Sequence, residues 1–142
     1  MNDSRTGSSD GNQTKKTLIT VVGIVDDDEQ VRESISSLLR SAGYKTTVFG
    51  SAEAFLNSER VAEPDCLVLD IRLPGLSGIE LQSQLQDMKC LTPVIFITAQ
   101  DGDEIRARAL QQGAVAFLGK PFNDEALLSA LESTVESPKE HS

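Results

Sequence analysis

The fold is decided by residues 17–28, which read TLITVVGIVDDD. The run before the aspartates is apolar or β-branched except for one glycine, and no charge interrupts it. β-branched residues suit the pleated surface of a strand, and an unbroken apolar run is typical of a strand that is covered on both faces. We therefore predict a buried strand over Thr17–Val25.

Outward from this strand, apolar runs alternate with segments that have helical periodicity or a helix cap. The strands predicted after the first are Lys45–Phe49, Cys66–Leu69, Pro93–Ile97 and Val115–Leu118. The predicted helices are Glu29–Ala42, a short helix from the cap Ser51 to about Ser58, Ser77 to about Gln86, Gly102–Gln112, and a last helix capped by Asn123. This alternation predicts an α/β fold, a five-stranded parallel sheet with helices on both faces.

Both ends of the chain are polar. Residues 1–16 have no large apolar side chain after Met1, so they cannot bury enough surface to offset the entropy of ordering. A chain of 142 residues is otherwise long enough to bury a core without a disulfide or a metal. We predict a flexible tail over 1–16, a single domain over 17–136 and a second tail over 137–142.

The net charge argues against nucleic acid as a direct partner. The chain has 13 Lys and Arg against 22 Asp and Glu, a net charge of −9 at pH 7, and so lacks the basic surface that binds a phosphate backbone.

The sequence shows no sign of a membrane span, since no apolar stretch reaches the ~20 residues that one needs. The run after Lys15-Lys16 ends in aspartates rather than at a signal-peptide cleavage site. Two cysteines do not make a disulfide framework, so we predict a cytoplasmic protein that binds neither nucleic acid nor a membrane.

The carboxyl ends of the predicted strands carry charged and hydroxyl groups. Asp26-Asp27-Asp28 follow the first strand, Asp70 ends the third, Thr98 ends the fourth and Lys120 follows the fifth. In an open parallel sheet these ends meet at one edge, where ligands bind. Taken singly, each residue has an ordinary explanation, such as the helix cap that we expect of Asp28 or Glu29. Together they predict a functional site.

The chemistry of this set is that of phosphoryl transfer. Three crowded carboxylates, Asp26, Asp27 and Asp70, would repel one another and raise their pKa values unless a cation lay among them. Oxygen ligands without histidine or thiolate favour a hard ion, so we expect Mg²⁺, with Mn²⁺ as a substitute. An aspartate is a nucleophile towards phosphorus, and Thr98 and Lys120 would hold the phosphoryl oxygens.

Four motifs in this order resemble the receiver domain of bacterial response regulators in two-component signalling. The motifs are Ile24–Asp28, Leu69–Gly78, Ile97–Ala99 and Gly113–Phe122, and the resemblance covers about residues 17–136. Val31–Ser34 and Ser51–Leu56 are similar to the receivers of nitrogen-fixation regulators. The resemblance implies a flavodoxin-like fold with the strand order 2-1-3-4-5.

The resemblance also implies a phosphoacceptor, its metal ligands and its phosphoryl-binding groups. The phosphoacceptor would be Asp70. Mg²⁺ would be held directly by Asp27 and Asp70, through water by Asp26, and by the backbone carbonyl of Arg72. The phosphoryl group would be bound by Thr98 and Lys120.

Around this centre, the resemblance implies a switch and two tuning positions. Thr98 would move towards the phosphoryl group, and Phe117 would turn inward into the space that it leaves. Arg72 and Gln100 would tune how fast water attacks the phosphoaspartate. The Lys120–Pro121 peptide bond would be cis, a form that only X–Pro bonds adopt at low cost.

The function implied is that of a phosphoacceptor signalling domain, not an enzyme beyond its own phosphorylation and slow dephosphorylation. A sensor histidine kinase or a histidine phosphotransfer protein would supply the phosphoryl group. The added charge would remodel the face made by the fourth helix, the fifth strand and the fifth helix (α4-β5-α5), which would bind a downstream protein or a second copy of the receiver. Little sequence follows Val135, so we expect no output domain in this chain.

Other interpretations use the same residues. The chain could be the receiver portion truncated from a DNA-binding transcriptional regulator. A hydrolase of the haloacid-dehalogenase type would carry a second aspartate at the position that Arg72 occupies. A binding module that no longer takes up phosphate would not need the complete set of acidic, hydroxyl and lysine residues named above.

Overall fold

The computed structural model of the protein describes residues 20–99 and 103–140, and within them five strands alternate with five helices. The strands are β1 (Val21–Val25), β2 (Lys45–Phe49), β3 (Cys66–Asp70), β4 (Val94–Thr98) and β5 (Ala116–Gly119). The helices are α1 (Glu29–Ser41), α2 (Ala52–Leu56), α3 (Gly78–Asp87), α4 (Asp103–Gln111) and α5 (Asp124–Glu140). Each predicted strand is present and ends within one residue of the predicted position.

The strands form one parallel sheet in the order β2-β1-β3-β4-β5, which confirms the predicted α/β, flavodoxin-like architecture. Val25 at the end of β1 is in register with Phe49 of β2 and Leu69 of β3. Because β1 and β3 are neighbours, the residue that follows β1 and the last residue of β3 lie side by side at the carboxyl edge of the sheet.

The core lies on both faces of the sheet because successive side chains of a strand point to opposite faces. One face packs against α2 and α3 through buried side chains such as Phe55 and Leu81. The other packs against α1 and α5 through Ile35, Leu39 and Leu127. The strands β3 and β4 are buried at every residue, as expected for apolar runs that are covered on both sides.

The predicted caps set where the helices begin. Asp28 accepts hydrogen bonds from the backbone N–H groups of Gln30 and Val31 at 2.9 and 3.4 Å, so α1 starts directly after it. Ser77 and Glu80 form a reciprocal capping box at the start of α3. Among the helices of the described segments, none is both long and apolar enough to cross a membrane.

Two boundaries differ from the sequence-based predictions. β1 begins at Val21 rather than at Thr17; Thr17–Ile19 and the predicted tail over 1–16 lie outside the described residues. α5 continues to Glu140, past the predicted start of a tail at residue 137. Pro138 does not end the helix, because the φ angle that proline imposes is close to the helical value and its missing N–H removes only one hydrogen bond near the helix end.

The two cysteines are expected to differ strongly in reactivity. Both are free thiols, but Cys66 is fully buried in β3, and burial raises its pKa to about 12. Cys90 is half-buried in the loop after α3. Because the thiolate is the nucleophile, Cys90 should be alkylated in the native protein and Cys66 only after unfolding. Timed alkylation followed by peptide mass spectrometry measures this, and equal rates at both thiols would contradict the burial of Cys66.

Candidate functional site

Two buried carboxylates lie next to each other at the carboxyl edge of the sheet. Asp26 follows β1 and is fully buried, and Asp70 ends β3 and is 4% exposed. The Asp28 N–H donates to Asp26 Oδ1 at 2.8 Å, and the Arg72 N–H donates to Asp70 Oδ1 at 3.0 Å. These bonds fix both carboxyl groups and direct the second oxygen of each one, Oδ2, to a common partner.

That partner is Lys120, which comes from the far side of the sheet. Its backbone N–H donates to the Thr98 carbonyl of β4 at 2.7 Å, and its peptide bond to Pro121 is cis. The Lys120 Nζ donates to Asp26 Oδ2 at 2.9 Å and to Asp70 Oδ2 at 3.2 Å. One ammonium group therefore bridges two carboxylates that lie 94 and 50 positions away in the sequence.

The charges of this group are strongly coupled. Burial raises the pKa of the Asp70 carboxyl; the Arg72 N–H and Lys120 oppose the rise, and the negative charge of Asp26 adds to it. Burial by itself would lower the pKa of Lys120, but its hydrogen bond to Asp26 and the charges of both carboxylates raise it above the usual value. Lys120 is thus an ammonium at neutral pH, and a further cation beside Asp70 would favour the charged form of its carboxyl group.

A third carboxylate completes a candidate metal site. Asp27 is exposed, and ligand oxygens of Asp26, Asp27 and Asp70 all lie within 4.8 Å of one another. Carboxylate oxygens without histidine or thiolate are the donors that a hard divalent ion prefers. The donor set therefore fits the Mg²⁺ predicted from the sequence, and the backbone of Arg72 lies in the adjoining loop.

Thr98 and Phe117, the predicted switch pair, lie on neighbouring strands. Thr98 ends β4 and is fully buried. Phe117 lies opposite Phe96 and is 5% exposed, and the guanidinium of Arg106 on α4 covers its ring, with Cζ 5.1 Å from the ring centroid. The ring is buried, and the core and the cation–π contact with Arg106 hold it there. That Phe117 turns inward when Thr98 moves towards a phosphoryl group stays a prediction.

Arg72 lies at the rim of the site, and one contact was not predicted. Arg72 has an exposed side chain, and its backbone holds Asp70. Gln100, predicted to tune dephosphorylation, lies outside the described residues. Sequence reasoning missed Arg32, whose Nη1 donates to the Asp26 carbonyl at 2.9 Å. Its only signal in the sequence is its position one turn after the cap of α1.

Gly78, the first residue of α3, packs tightly against the loop that follows Asp70. A Cβ there would overlap the Asp70 backbone carbonyl and approach the Cα of Ile71 to 3.0 Å. We therefore expect Gly78→Ala to lower the free energy of unfolding by about 2 kcal/mol. Gly50→Ala is the control, because its Cβ would approach no backbone atom and would meet only the guanidinium of Arg32, at 3.3 Å. Urea unfolding of both variants measures the difference, and two equally stable variants would contradict the close approach.

Known proteins similar to this chain identify its family. A family model described as the response regulator receiver domain matches residues 22–132. The chain is 41% identical over 126 residues to nodulation protein W of Bradyrhizobium diazoefficiens; the aligned region covers 89% of this chain and 56% of that protein. It is 38% identical over 112 residues to the transcriptional regulatory protein FixJ of the same organism; this aligned region covers 79% of this chain and 55% of that protein.

Solved structures lead to the same family. The crystal structure of FixJ-N matches with a TM-score of 0.77 and 38% identity over 84% of this chain and 96% of that one. The response regulator StyR matches with a TM-score of 0.78 and 45% identity over 87% of this chain and 63% of that one. The chain spans about half the length of the curated relatives it matches. It belongs to the family of response regulator receiver domains, the signalling domains of two-component systems.

Proposed function

We propose that Asp70 of this receiver takes up a phosphoryl group in a two-component phosphorelay. The observation that carries the proposal is the Lys120 ammonium, which contacts Asp26 Oδ2 at 2.9 Å and Asp70 Oδ2 at 3.2 Å. A fixed positive charge beside the acceptor carboxylate stabilises the negative charge of an incoming phosphoryl group. Asp26 holds the lysine in place, so Lys120 remains beside Asp70 when that side chain is modified.

The acidic cluster supports Mg²⁺ as the cofactor, with Mn²⁺ as a substitute. Asp26, Asp27, Asp70 and the backbone carbonyl of Arg72 would hold the ion. When bound, Mg²⁺ neutralises carboxylate charge and polarises the phosphoryl oxygens.

In the transfer step, an oxygen of the Asp70 carboxylate forms a bond to phosphorus, and the bond between phosphorus and the donor breaks. The leaving group departs with the electron pair: an imidazole nitrogen for a phosphohistidine, or a carboxylate for a small acyl phosphate. The Arg72 N–H on Oδ1 orients the acceptor carboxyl group, while Lys120 and the Thr98 hydroxyl hold the phosphoryl oxygens. The product is an acyl phosphate on Asp70.

The partners follow from this chemistry. Receiver domains interact with histidine kinases, and a sensor kinase or a histidine phosphotransfer protein would be the donor for this chain. Two free thiols, Cys66 and Cys90, suit the reducing cytoplasm. The face formed by α4, β5 and α5 would respond through Phe117 and Arg106, and it would bind a downstream protein or a second copy of the receiver. The chain would act as a signalling domain without turnover of an external substrate.

One alternative is that this chain is the receiver part of a longer transcriptional regulator. It spans about half the length of its curated relatives, and one of them is the transcriptional regulatory protein FixJ. Contacts to DNA would then be made by another domain, because the net charge of this chain is −9.

Incubation with acetyl phosphate and Mg²⁺, followed by intact-protein mass spectrometry, tests the proposed function. We expect the wild type to gain one phosphoryl group and to lose this gain when EDTA replaces Mg²⁺. A wild type that gains none in Mg²⁺, or as much in EDTA, would contradict the proposal.

A further inference from the structure

We propose that Glu53 is a positioning residue for phosphoryl transfer to Asp70, an inference that rests on the proposed function. Glu53 lies on α2 and is not a member of the acidic cluster. Its Oε2 accepts a hydrogen bond from the backbone N–H of Leu76 at 2.9 Å, across 23 positions of sequence. Leu76 belongs to the loop over residues 71–77, which joins Asp70 to α3.

The base of this loop is anchored by the fold itself. Ile71 and Leu73 are buried in the apolar core. The Gly78 N–H donates to the Ile71 carbonyl at 3.0 Å, so the start of α3 is tied to the start of the loop. The tip of the loop, Pro74 and Gly75, is exposed. The Leu76 side chain is half-buried and packs against the core, and Glu53 holds its backbone next to the exposed tip.

The loop backbone is shaped to receive this carboxylate. Gly75 has a φ of 76°, a left-handed conformation that glycine adopts without strain. A Cβ at Gly75 would lie 2.7 Å from Glu53 Oε2. Gly75 therefore allows both the left-handed turn of the loop and the close approach of the Glu53 carboxylate.

The helix that presents Glu53 is itself held firmly. The Ser51 side chain caps α2 by accepting from the Ala54 N–H at 3.0 Å. Phe55 is fully buried, and its ring packs edge-on against Phe49 with the centroids 5.1 Å apart. The hydrogen bond from Leu76 lowers the pKa of Glu53, so the carboxylate is charged at neutral pH. A charged acceptor on a capped and packed helix is suited to hold the backbone beside an exposed loop tip.

The consequence for Asp70 passes through Arg72. The Arg72 N–H orients Asp70 Oδ1 at 3.0 Å, and its carbonyl is a proposed ligand of Mg²⁺. Both groups belong to the loop that Glu53 restrains. Releasing Leu76 would let this segment sample other conformations, and small displacements of a reacting group lower transfer rates steeply.

The test compares Glu53→Ala and Glu53→Gln with the wild type. The readouts are hydrogen exchange in the segment 71–78, the rate of phosphoryl uptake from acetyl phosphate, and the Mg²⁺ concentration that gives half the maximal rate. For Glu53→Ala we expect faster exchange, a rate about threefold to tenfold lower, and a higher half-saturating Mg²⁺ concentration. Glu53→Gln keeps an oxygen that can accept from Leu76, so its loss should be smaller. Glu33→Ala, which removes an exposed carboxylate from α1, is the control and should match the wild type.

The failures of the two proposals are distinguishable. A wild type that takes up no phosphoryl group overturns the proposed function and, with it, this role of Glu53. A wild type and a Glu53→Ala variant that are phosphorylated at the same rate overturn the role of Glu53 alone. A lower melting temperature of Glu53→Ala with an unchanged rate and Mg²⁺ dependence would likewise reduce Glu53 to a structural residue and overturn the inference.

Discussion

Asp70→Asn is expected to abolish phosphoryl uptake by this chain. Asparagine has the shape of aspartate and an oxygen that can accept from the Arg72 N–H, but its amide is not a nucleophile towards phosphorus. Intact-protein mass spectrometry after incubation with acetyl phosphate and Mg²⁺ measures the loss. Asp87→Asn is the matched control, because Asp87 is exposed at the end of α3, and this variant should take up one phosphoryl group. Uptake by Asp70→Asn at the wild-type rate would show that the acceptor is another residue.

The same substitution should stabilise the unphosphorylated fold in the absence of divalent ions. The pKa of Asp70 is raised in the folded protein, so folding disfavours its charge. The pKa of the Asp70 carboxyl is about 4 in the unfolded chain and higher in the folded protein. As the pH rises through this interval, the free energy of unfolding of the wild type therefore falls relative to that of Asp70→Asn. The difference reaches its full size once Asp70 is ionised in both the folded and the unfolded protein.

At pH 7 in EDTA we therefore expect a higher free energy of unfolding for Asp70→Asn than for the wild type. Urea unfolding at pH 7 and below pH ~4 measures the gain and its disappearance. An Asp70→Asn variant that is less stable than the wild type at pH 7 would contradict the assigned electrostatics of the site.

Lys120→Met is expected to have the opposite effect on stability. The substitution keeps the length of the side chain but leaves Asp26 and Asp70 without their shared ammonium. Breaking a fully buried ion pair costs about 3–5 kcal/mol. Because the Lys120 side chain is 18% exposed, we expect a loss of about 1–3 kcal/mol at pH 7 in EDTA. Mg²⁺ should restore part of the loss by binding the folded state.

Phosphoryl uptake by Lys120→Met should also be about tenfold to a hundredfold slower, because the fixed cation beside the acceptor is removed. Urea unfolding with and without Mg²⁺, together with the rate of uptake, measures both effects. Lys45→Met, at an exposed position of β2, is the matched control. If Lys120→Met were as stable and as quickly phosphorylated as this control, Lys120 would have no part in the site.

The sheet and the position of the site were predictable because the relevant signals are local. The strand runs ending near Asp26 and Asp70 are continuous and apolar, which is the pattern of buried parallel strands. Parallel strands joined by helices place all their carboxyl ends at one edge. The placement of both carboxylates and Lys120 at one edge therefore follows from the order of elements, whereas the strand order that brings them close was implied by the family resemblance.

The contacts within the site were not predictable in the same way. No periodicity indicates that Arg32 donates to the Asp26 carbonyl, or that Glu53 accepts from the Leu76 N–H. The first bond spans 6 positions of sequence and the second spans 23, and both depend on loop backbone conformations that no local pattern encodes. The burial of Phe117 under Arg106 is similar, since it depends on how α4 packs against β5.

The central claim is that Asp70 is the phosphoacceptor, and the most direct measurement locates the phosphoryl group. Borohydride reduces an acyl phosphate on aspartate to homoserine, which peptide sequencing by mass spectrometry assigns to one residue. After incubation of the wild type with acetyl phosphate and Mg²⁺, we expect homoserine at position 70 and unchanged aspartate at positions 26 and 27. Homoserine at either of those positions, or at none of the three, would contradict the claim.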